Sequence, residues 1–305
     1  MSDRGERIIK PKRLAPGDTL GVVAPAGRVE PADLHQGVLR LEQLGFKVIL
    51  GKNVEKGHRY FAGKDADRAA DLQFMFEKSD VRAVLCARGG SGTARLLRHL
   101  DRGRFSGSPK AFVGCSDITT LLLYFSRALG WVTFHGPMAA TQFGRDPNGA
   151  REENFMKILG GETVEMSFPG VQALRGGRAE GILTGGCLTL ICTTIGTPYE
   201  IETKDKILFI EDTDEAPYRI DRMLTYLKGL GKFDRVRGVV FGQMPRCQPE
   251  LLPEIILEIF DEFPVPILFG FPSGHGESIA TLPFGISVRI DGSAGSLRML
   301  EPAVL

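Results

Sequence analysis

The usual metal-ligand spacings are missing from this sequence of 305 residues, which holds no Cys-x-x-Cys pair and no His-Glu-x-x-His. A structural zinc site is therefore not expected. Long apolar runs are missing as well, and nothing approaches the roughly 18 apolar residues of a membrane span. Charge of one sign is not in excess: 38 Lys and Arg stand against 37 Asp and Glu. With that balance no global field draws nucleic acid or an anionic membrane to the chain. The five cysteines (Cys86, Cys115, Cys187, Cys192, Cys247) are odd in number and sit mostly in apolar runs, which suits reduced thiols better than a disulfide framework. The opening MSDRGERIIKPKRL alternates charge and lacks the roughly 7–15-residue apolar core of a secretory signal. These absences together predict a cytoplasmic chain with neither membrane nor nucleic acid as partner.

What is present reads as an ordinary globular protein, 43% hydrophobic and 25% charged. Its length favours two domains over one, because single cores stop growing near this size. In the first half, apolar runs alternate with helical patterns. LGVVAPAG (20–27) reads as a strand, and Leu34, Val38, Leu41 and Leu44 then recur at helical spacing up to Gly45. FKVILG, VRAVLCARGG, AFVGCSD and WVTFHGP read as further strands, and DADRAADLQFMFEKS as a helix with Asp65 as a candidate N-cap. Such alternation implies βαβ units and a mostly parallel sheet, whose ligands sit beyond the carboxyl ends of the strands. Those ends carry APAG, ARGGSG, GCSD and FHGP, all rich in glycine and small polar residues. Four such loops on one rim would build a site. The pattern loosens from Gly144 to Arg178 and then changes character, ending in a β-hairpin signature around an Asp-Gly turn. The expected organisation is an N-terminal α/β domain over residues 1–145, a linker or crossing over 146–178, and a C-terminal domain over 179–305.

Four stretches bear chemistry, each with a plainer reading beside it. In 114-GCSDITT-120, Ser116 has a strand before it and a helical pattern after it, as a nucleophile elbow requires. Gly114 and Ser116 match the first half of G-x-S-x-G, but Ile118 replaces the last glycine, so spacing alone leaves Ser116 either a nucleophile or a helix N-cap. The neighbouring Cys115 is either a nucleophile or a buried thiol. ARGGSGTARLL (87–97) lacks both the third glycine of a dinucleotide loop and the lysine of a P-loop, while its glycines also suit an oxyanion hole. Glu211, Asp212, Asp214 and Glu215 crowd the end of another strand, where acid–base work, metal binding and a solvated loop are all open. His275 lies between two glycines in PSGHGES after a buried strand, where it is either placed for catalysis or an incidental loop residue.

Taken in order, ARGGSGTARLL, GCSDITTL, FHGP, GGCLTLICTTIGTPYE, LFIEDTDEAPYRIDRML and GFPSGHG…TLPFG resemble the LD-carboxypeptidases, a serine peptidase family that also holds the microcin C self-immunity peptidases. The resemblance runs from about Gly21 to Gly285. It implies Ser116 as nucleophile, Glu211 as acid and His275 as general base, with the backbone N–H groups of Gly90 and Asp117 as oxyanion donors. It also implies an α/β fold: an N-terminal doubly wound, flavodoxin-like parallel sheet domain, a C-terminal mainly β domain with helices, and a site in the cleft between them. No metal or cofactor is implied, and homodimers are common in the family. The implied substrate is a murein tetrapeptide, cut at the L,D-bond to its terminal D-alanine during peptidoglycan recycling. Arg88, Ser91 and Arg222 are candidates for substrate binding, the two arginines for the terminal carboxylate. Two departures stand out: Ser91 replaces the aromatic of RGGYG, and Cys187 replaces the amide of GGNL. A peptidyl-nucleotide substrate is the alternative within the family; it would favour aromatic stacking, and the sole tryptophan is Trp131. Outside the family, the alternative is a non-catalytic nucleotide- or ligand-binding α/β protein.

Overall fold

A computed structural model of the chain describes residues 8–105, 109–146 and 151–305. Residues 1–7 of the charged opening and residues 147–150 of the expected crossing lie outside the described residues. The apolar runs of the first half form five parallel strands: β1 (Thr19–Val23), β2 (Lys47–Leu50), β3 (Val81–Cys86), β4 (Ala111–Gly114) and β5 (Thr133–His135). Helices α1 (Pro31–Gln43), α2 (Asp65–Glu77), the short α3 (Thr93–Leu96) and α4 (Thr119–Leu129) connect them. Burial under such crossovers is why β1, β3 and β4 are apolar at nearly every position, Thr19 and Arg82 being the half-buried exceptions. The order β2-β1-β3-β4-β5 is the flavodoxin-like one, so the strand order reverses between β1 and β3. The glycine loops after those two strands meet at the reversal, where the Gly27 N–H donates to the Gly89 carbonyl at 3.0 Å. Asp65 does not cap α2: Lys64 holds the cap position, and the Asp65 carboxylate accepts from Arg68 and Arg95 instead.

The second sheet has eight strands. In chain order they are β6 (Glu165–Ser167), β7 (Gln172–Arg175), β8 (Arg178–Cys187), β9 (Lys206–Glu211), β10 (Gly238–Gln243), β11 (Ile267–Gly274), and the hairpin pair β13 (Ser287–Asp291) and β14 (Ser296–Met299). Its centre, β8-β9-β10-β11, is parallel, with α6 (Leu188–Thr194), α7 (Pro217–Gly229) and α8 (Leu252–Ile259) in the crossovers. The remaining strand, β12 (Leu282–Phe284), leaves this region and pairs antiparallel with β5, completing the first sheet. The fold is therefore the expected α/β one, a doubly wound sheet beside a second sheet with helices. The stretch 146–178 carries a helix, α5 (Glu152–Gly160), and the two strands β6 and β7 at the edges of the second sheet.

Alternation along β9 positions the site. Leu208 and Ile210 join the cluster under α6, α7 and α8, whereas Ile207 and Phe209 join the core shared with the first sheet. Period-two alternation puts Glu211 on the same face as Phe209, toward the first sheet. The Phe209 ring meets the edge of His135 from β5, with centroids 5.0 Å apart. Glu211 is thus carried to the junction of the two sheets by the same pattern that fills the core.

Candidate active site

Ser116 is separated from the end of β4 by Cys115 alone, in a tight turn that runs into α4. Its φ of +62° lies in the left-handed region, which costs a non-glycine residue roughly 1–2 kcal/mol. It makes no capping hydrogen bond; Cys115 occupies the cap position of the turn. The N-cap reading of Ser116 therefore fails, and the turn has the strained strand-to-helix form that a nucleophile elbow requires. Close approach explains the RGG loop: a Cβ on Gly89 would lie 2.6 Å from Ser116 Cβ and 2.8 Å from its Oγ. Asp117 is buried and ties the turn to α3, accepting from the Thr93 N–H at 2.9 Å, while its carbonyl accepts from Thr93 Oγ1 at 2.7 Å.

Glu211 and His275 meet across 64 residues of chain: His275 Nδ1 lies 2.5 Å from Glu211 Oε2. The carboxylate is fully buried, and Gly274, at φ +112°, leaves room for it; a Cβ there would stand 2.7 Å from Oε2. Register shifts between β10 and β11 insert extra residues into β11 before Gly274. Bulges of this kind re-aim a strand end, and here they turn His275 onto Glu211. The two halves of the site are joined at Cys187, which pairs in register with Glu211 and whose N–H donates to Thr119 Oγ1 of α4 at 3.1 Å. The turn holding Ser116 is thereby docked on the strand next to the one holding Glu211.

Electrostatics favour an ionised carboxylate against the imidazole. Burial alone would raise the Glu211 pKa, but the charge and hydrogen bond of His275 bring it below its ordinary value. Burial alone would lower His275, and the Glu211 charge and hydrogen bond, helped by Asp212, raise it above its ordinary value. Cys115 is buried with its thiol pushed well up by desolvation, which leaves it protonated and excludes the nucleophile reading for it.

His135 behaves differently. It is fully buried, neither ring nitrogen has a partner among the described residues, and burial lowers its pKa to about 4. The unfolded chain binds this proton near 6.5, so stability is complete above pH 6.5, declines between pH 6.5 and 4, and levels off below. The drop from 6.5 to about 4 corresponds to about 3–4 kcal/mol at about 1.4 kcal/mol per pH unit. Urea unfolding at pH 7.5 and pH 4 should show His135→Phe gaining about that much on the parent protein at the lower pH. An equal gap at both pH values would contradict it.

The remaining sequence candidates divide. Gly90 lies in the loop beside Ser116 and its N–H has no described acceptor, while Ser91 is exposed on the rim. Arg88 reaches back to the Arg28 carbonyl at 2.9 Å, bracing the loop after β1. Arg222 stands on the exposed face of α7 over the Tyr218 ring. The carboxylate cluster disperses onto separate partners: Glu211 on His275, Asp212 on Thr189 at 2.9 Å, Asp214 on Arg246, and Glu215 on Arg219 at 3.4 Å. Among the described residues no group of three or more His, Cys, Asp or Glu converges as metal ligands would. Sequence reasoning missed Arg68, whose buried guanidinium bonds the Pro25 and Gly92 carbonyls and so ties together the loops after β1 and β3. It also missed the exposed Arg246–Asp214 ion pair that joins the loops after β9 and β10. Trp131 is core, stacked on Phe125 with centroids 5.4 Å apart.

Comparison with known proteins bears on the whole chain. Residues 20–136 match the LD-carboxypeptidase N-terminal domain, and residues 180–290 match the LD-carboxypeptidase C-terminal domain. A probable murein peptide carboxypeptidase of Bacillus subtilis is 41% identical, covering 97% of this chain and 95% of that protein. A murein tetrapeptide carboxypeptidase of Pseudomonas aeruginosa is 33% identical over 90% of this chain and 93% of its own length. Among solved structures, MccF in complex with glutamyl sulfamoyl guanosine superposes with a TM-score of 0.92 at 25% identity, covering 97% of this chain and 100% of its own. No helix among the described residues is long and apolar enough to cross a membrane.

Proposed function

This chain belongs to the LD-carboxypeptidase family of serine peptidases, and from that premise we propose that it hydrolyses the L,D-bond to the terminal D-alanine of murein tetrapeptides through Ser116, His275 and Glu211. The observation that carries this reading is the buried Glu211–His275 contact of 2.5 Å at the junction that also receives the strained Ser116 turn. With Nδ1 held by Glu211, the opposite nitrogen Nε2 is the one left to serve the Ser116 hydroxyl. Ser116 Oγ attacks the scissile carbonyl as Nε2 takes its proton. The C–N bond then breaks, and the same proton passes to the departing amine of D-alanine. Water, deprotonated by Nε2, then attacks the ester; the shortened peptide leaves as its free acid and the proton on Nε2 returns to Ser116 Oγ. The N–H groups of Gly90 and Asp117 are the donors to the tetrahedral oxyanion in this scheme, and Gly89 admits the approach because it has no Cβ.

Murein peptide is favoured over a peptidyl-nucleotide because Trp131 is locked in the core and Ser91 replaces a rim aromatic, which leaves stacking poorly provided. A homodimer working in the cytoplasm on recycled murein peptides completes the reading, supported by family membership. The test is release of D-alanine from defined tetrapeptides, followed by mass spectrometry beside an aminoacyl sulfamoyl nucleotide. Faster cleavage of the tetrapeptide is expected, whereas faster cleavage of the nucleotide would overturn the substrate assignment.

A further inference from the structure

Two loops flank the Glu211–His275 pair. One runs from Asp212 to Ala216 after β9, the other from Met244 to Gln248 after β10. They are joined by Arg246, whose Nε lies 2.5 Å from Asp214 Oδ1 and whose Nη2 lies 2.7 Å from Asp214 Oδ2 and 3.1 Å from Thr213 Oγ1. Both partners of this fork are backbone outliers, with φ +60° at Asp214 and +60° at Arg246, and Gln248 follows at +51°. An ion pair this exposed contributes little to stability, so the fork does not offset the strain it requires. Strain of this kind collects where a side chain must be held in one place.

The place is beside the histidine. Gln243 pairs in register with Gly274, the residue before His275, and a Cβ on Gly276 would collide with the Gln243 side chain. The loop bearing Arg246 and the loop bearing His275 therefore leave the sheet side by side. Arg246 and His275 also act electrostatically on each other, as do Asp214 and His275. Asp214 occupies the Nε and Nη2 edge of the guanidinium, while Nη1 donates to no described residue. With Nη2 also donating to Thr213 Oγ1, this planar, always-charged group presents its Nη1 N–H groups to a carboxylate.

We propose that Arg246, oriented by Asp214, binds the terminal carboxylate of the peptide and so limits cleavage to the last residue. This rests on the carboxypeptidase reading above. The chemistry selects that carboxylate among those of the substrate. In a terminal D-alanine the carboxylate is two bonds from the scissile nitrogen, and that nitrogen must lie against His275 to receive its proton. A cation beside His275 is therefore beside the terminal carboxylate. Arg88 and Arg222 lack this placement, the first turned to the Arg28 carbonyl and the second lying over Tyr218.

Calorimetry separates this assignment from the peptidase reading. The full-length Ser116→Ala protein is titrated with L-Ala-γ-D-Glu-L-Lys-D-Ala and with the same peptide ending in D-alaninamide. The free acid should bind about 10–100-fold more tightly than the amide, as loss of hydrogen bonds to a charged group predicts. Adding Arg246→Ala should erase that preference, Arg246→Lys should restore it in part, and Asp214→Ala should weaken it several-fold through loss of orientation. A preference that survives Arg246→Ala, or no preference or no binding in Ser116→Ala, overturns the assignment. Hydrolysis of the free acid by the unaltered enzyme tests the other reading separately. An Arg246-dependent preference without hydrolysis would leave the carboxylate site standing and remove the peptidase.

Discussion

Ser116→Ala is expected to lower turnover of a murein tetrapeptide by roughly 10⁴–10⁶-fold while the protein stays folded. The expectation follows from the proposed division of labour: without the hydroxyl, no acyl-enzyme forms, and only oxyanion stabilisation and substrate binding remain. Stability should hardly change, because Ser116 makes no capping bond whose loss would be felt. Ser116→Gly sharpens the point. Glycine adopts φ near +62° without the steric penalty, so this variant should be equally inactive yet more stable by up to about 1 kcal/mol. Activity and stability would then move in opposite directions at one atom position, as expected where strain serves chemistry. Single-turnover assays and urea unfolding of the two variants make the comparison. Substantial turnover by either variant would remove Ser116 from the nucleophile's role.

The legible part of this protein is what local pattern dictates. Parallel strands buried on both faces read as apolar runs, and the glycine loops at their ends mark a rim without reference to any partner. The same logic fails for β6 and β7, strands of 3 and 4 residues at the sheet edges, where burial falls on too few positions to alternate visibly. Ser116 was ambiguous for a different reason. The final glycine of the common elbow is replaced by Ile118, whose side chain folds back over the strand end; a Cβ on Gly114 would stand 2.8 Å from Ile118 Cγ2. Gly114 is thus needed to accommodate Ile118, a requirement the usual motif does not express. Least legible were the roles that depend on distant partners. The His275 ring finds Glu211 only because β11 is bulged, and Arg246 acquires its orientation from Asp214, 32 residues earlier and strained in the same sense. No sequence periodicity encodes either meeting. The resemblance to a family supplied Glu211 and His275 from outside the pattern, and it supplied nothing for Arg246.

Glu211→Gln carries the second large effect, and it should appear in both rate and pH dependence. The carboxylate is fully buried; desolvation is the largest single influence on His275 and lowers its pKa, but the charge and hydrogen bond of Glu211, helped by Asp212, together hold it above its ordinary value. In the proposed mechanism His275 must be neutral to take the Ser116 proton. For the unaltered enzyme kcat/KM should therefore fall as pH drops through that raised value. An amide of the same size removes the negative charge while burial continues to penalise the imidazolium. The His275 pKa then drops, and the acid limb of the profile moves to lower pH, so more of the base is in its neutral form near pH 6. The rate should nevertheless fall, by about 10³–10⁴-fold at the plateau, because the amide neither stabilises the imidazolium formed in the transition state nor fixes the tautomer that leaves Nε2 free as acceptor. A merely structural role for Glu211 predicts the opposite pairing: loss of folded protein, with the surviving activity keeping its original profile. Measuring kcat/KM from pH 5 to 9 beside the unfolding midpoint distinguishes them. An unshifted acid limb in a folded, slow Glu211→Gln enzyme would show that the charge of Glu211 does not govern His275. Such a result would undo the electrostatic half of the mechanism while leaving the nucleophile untouched.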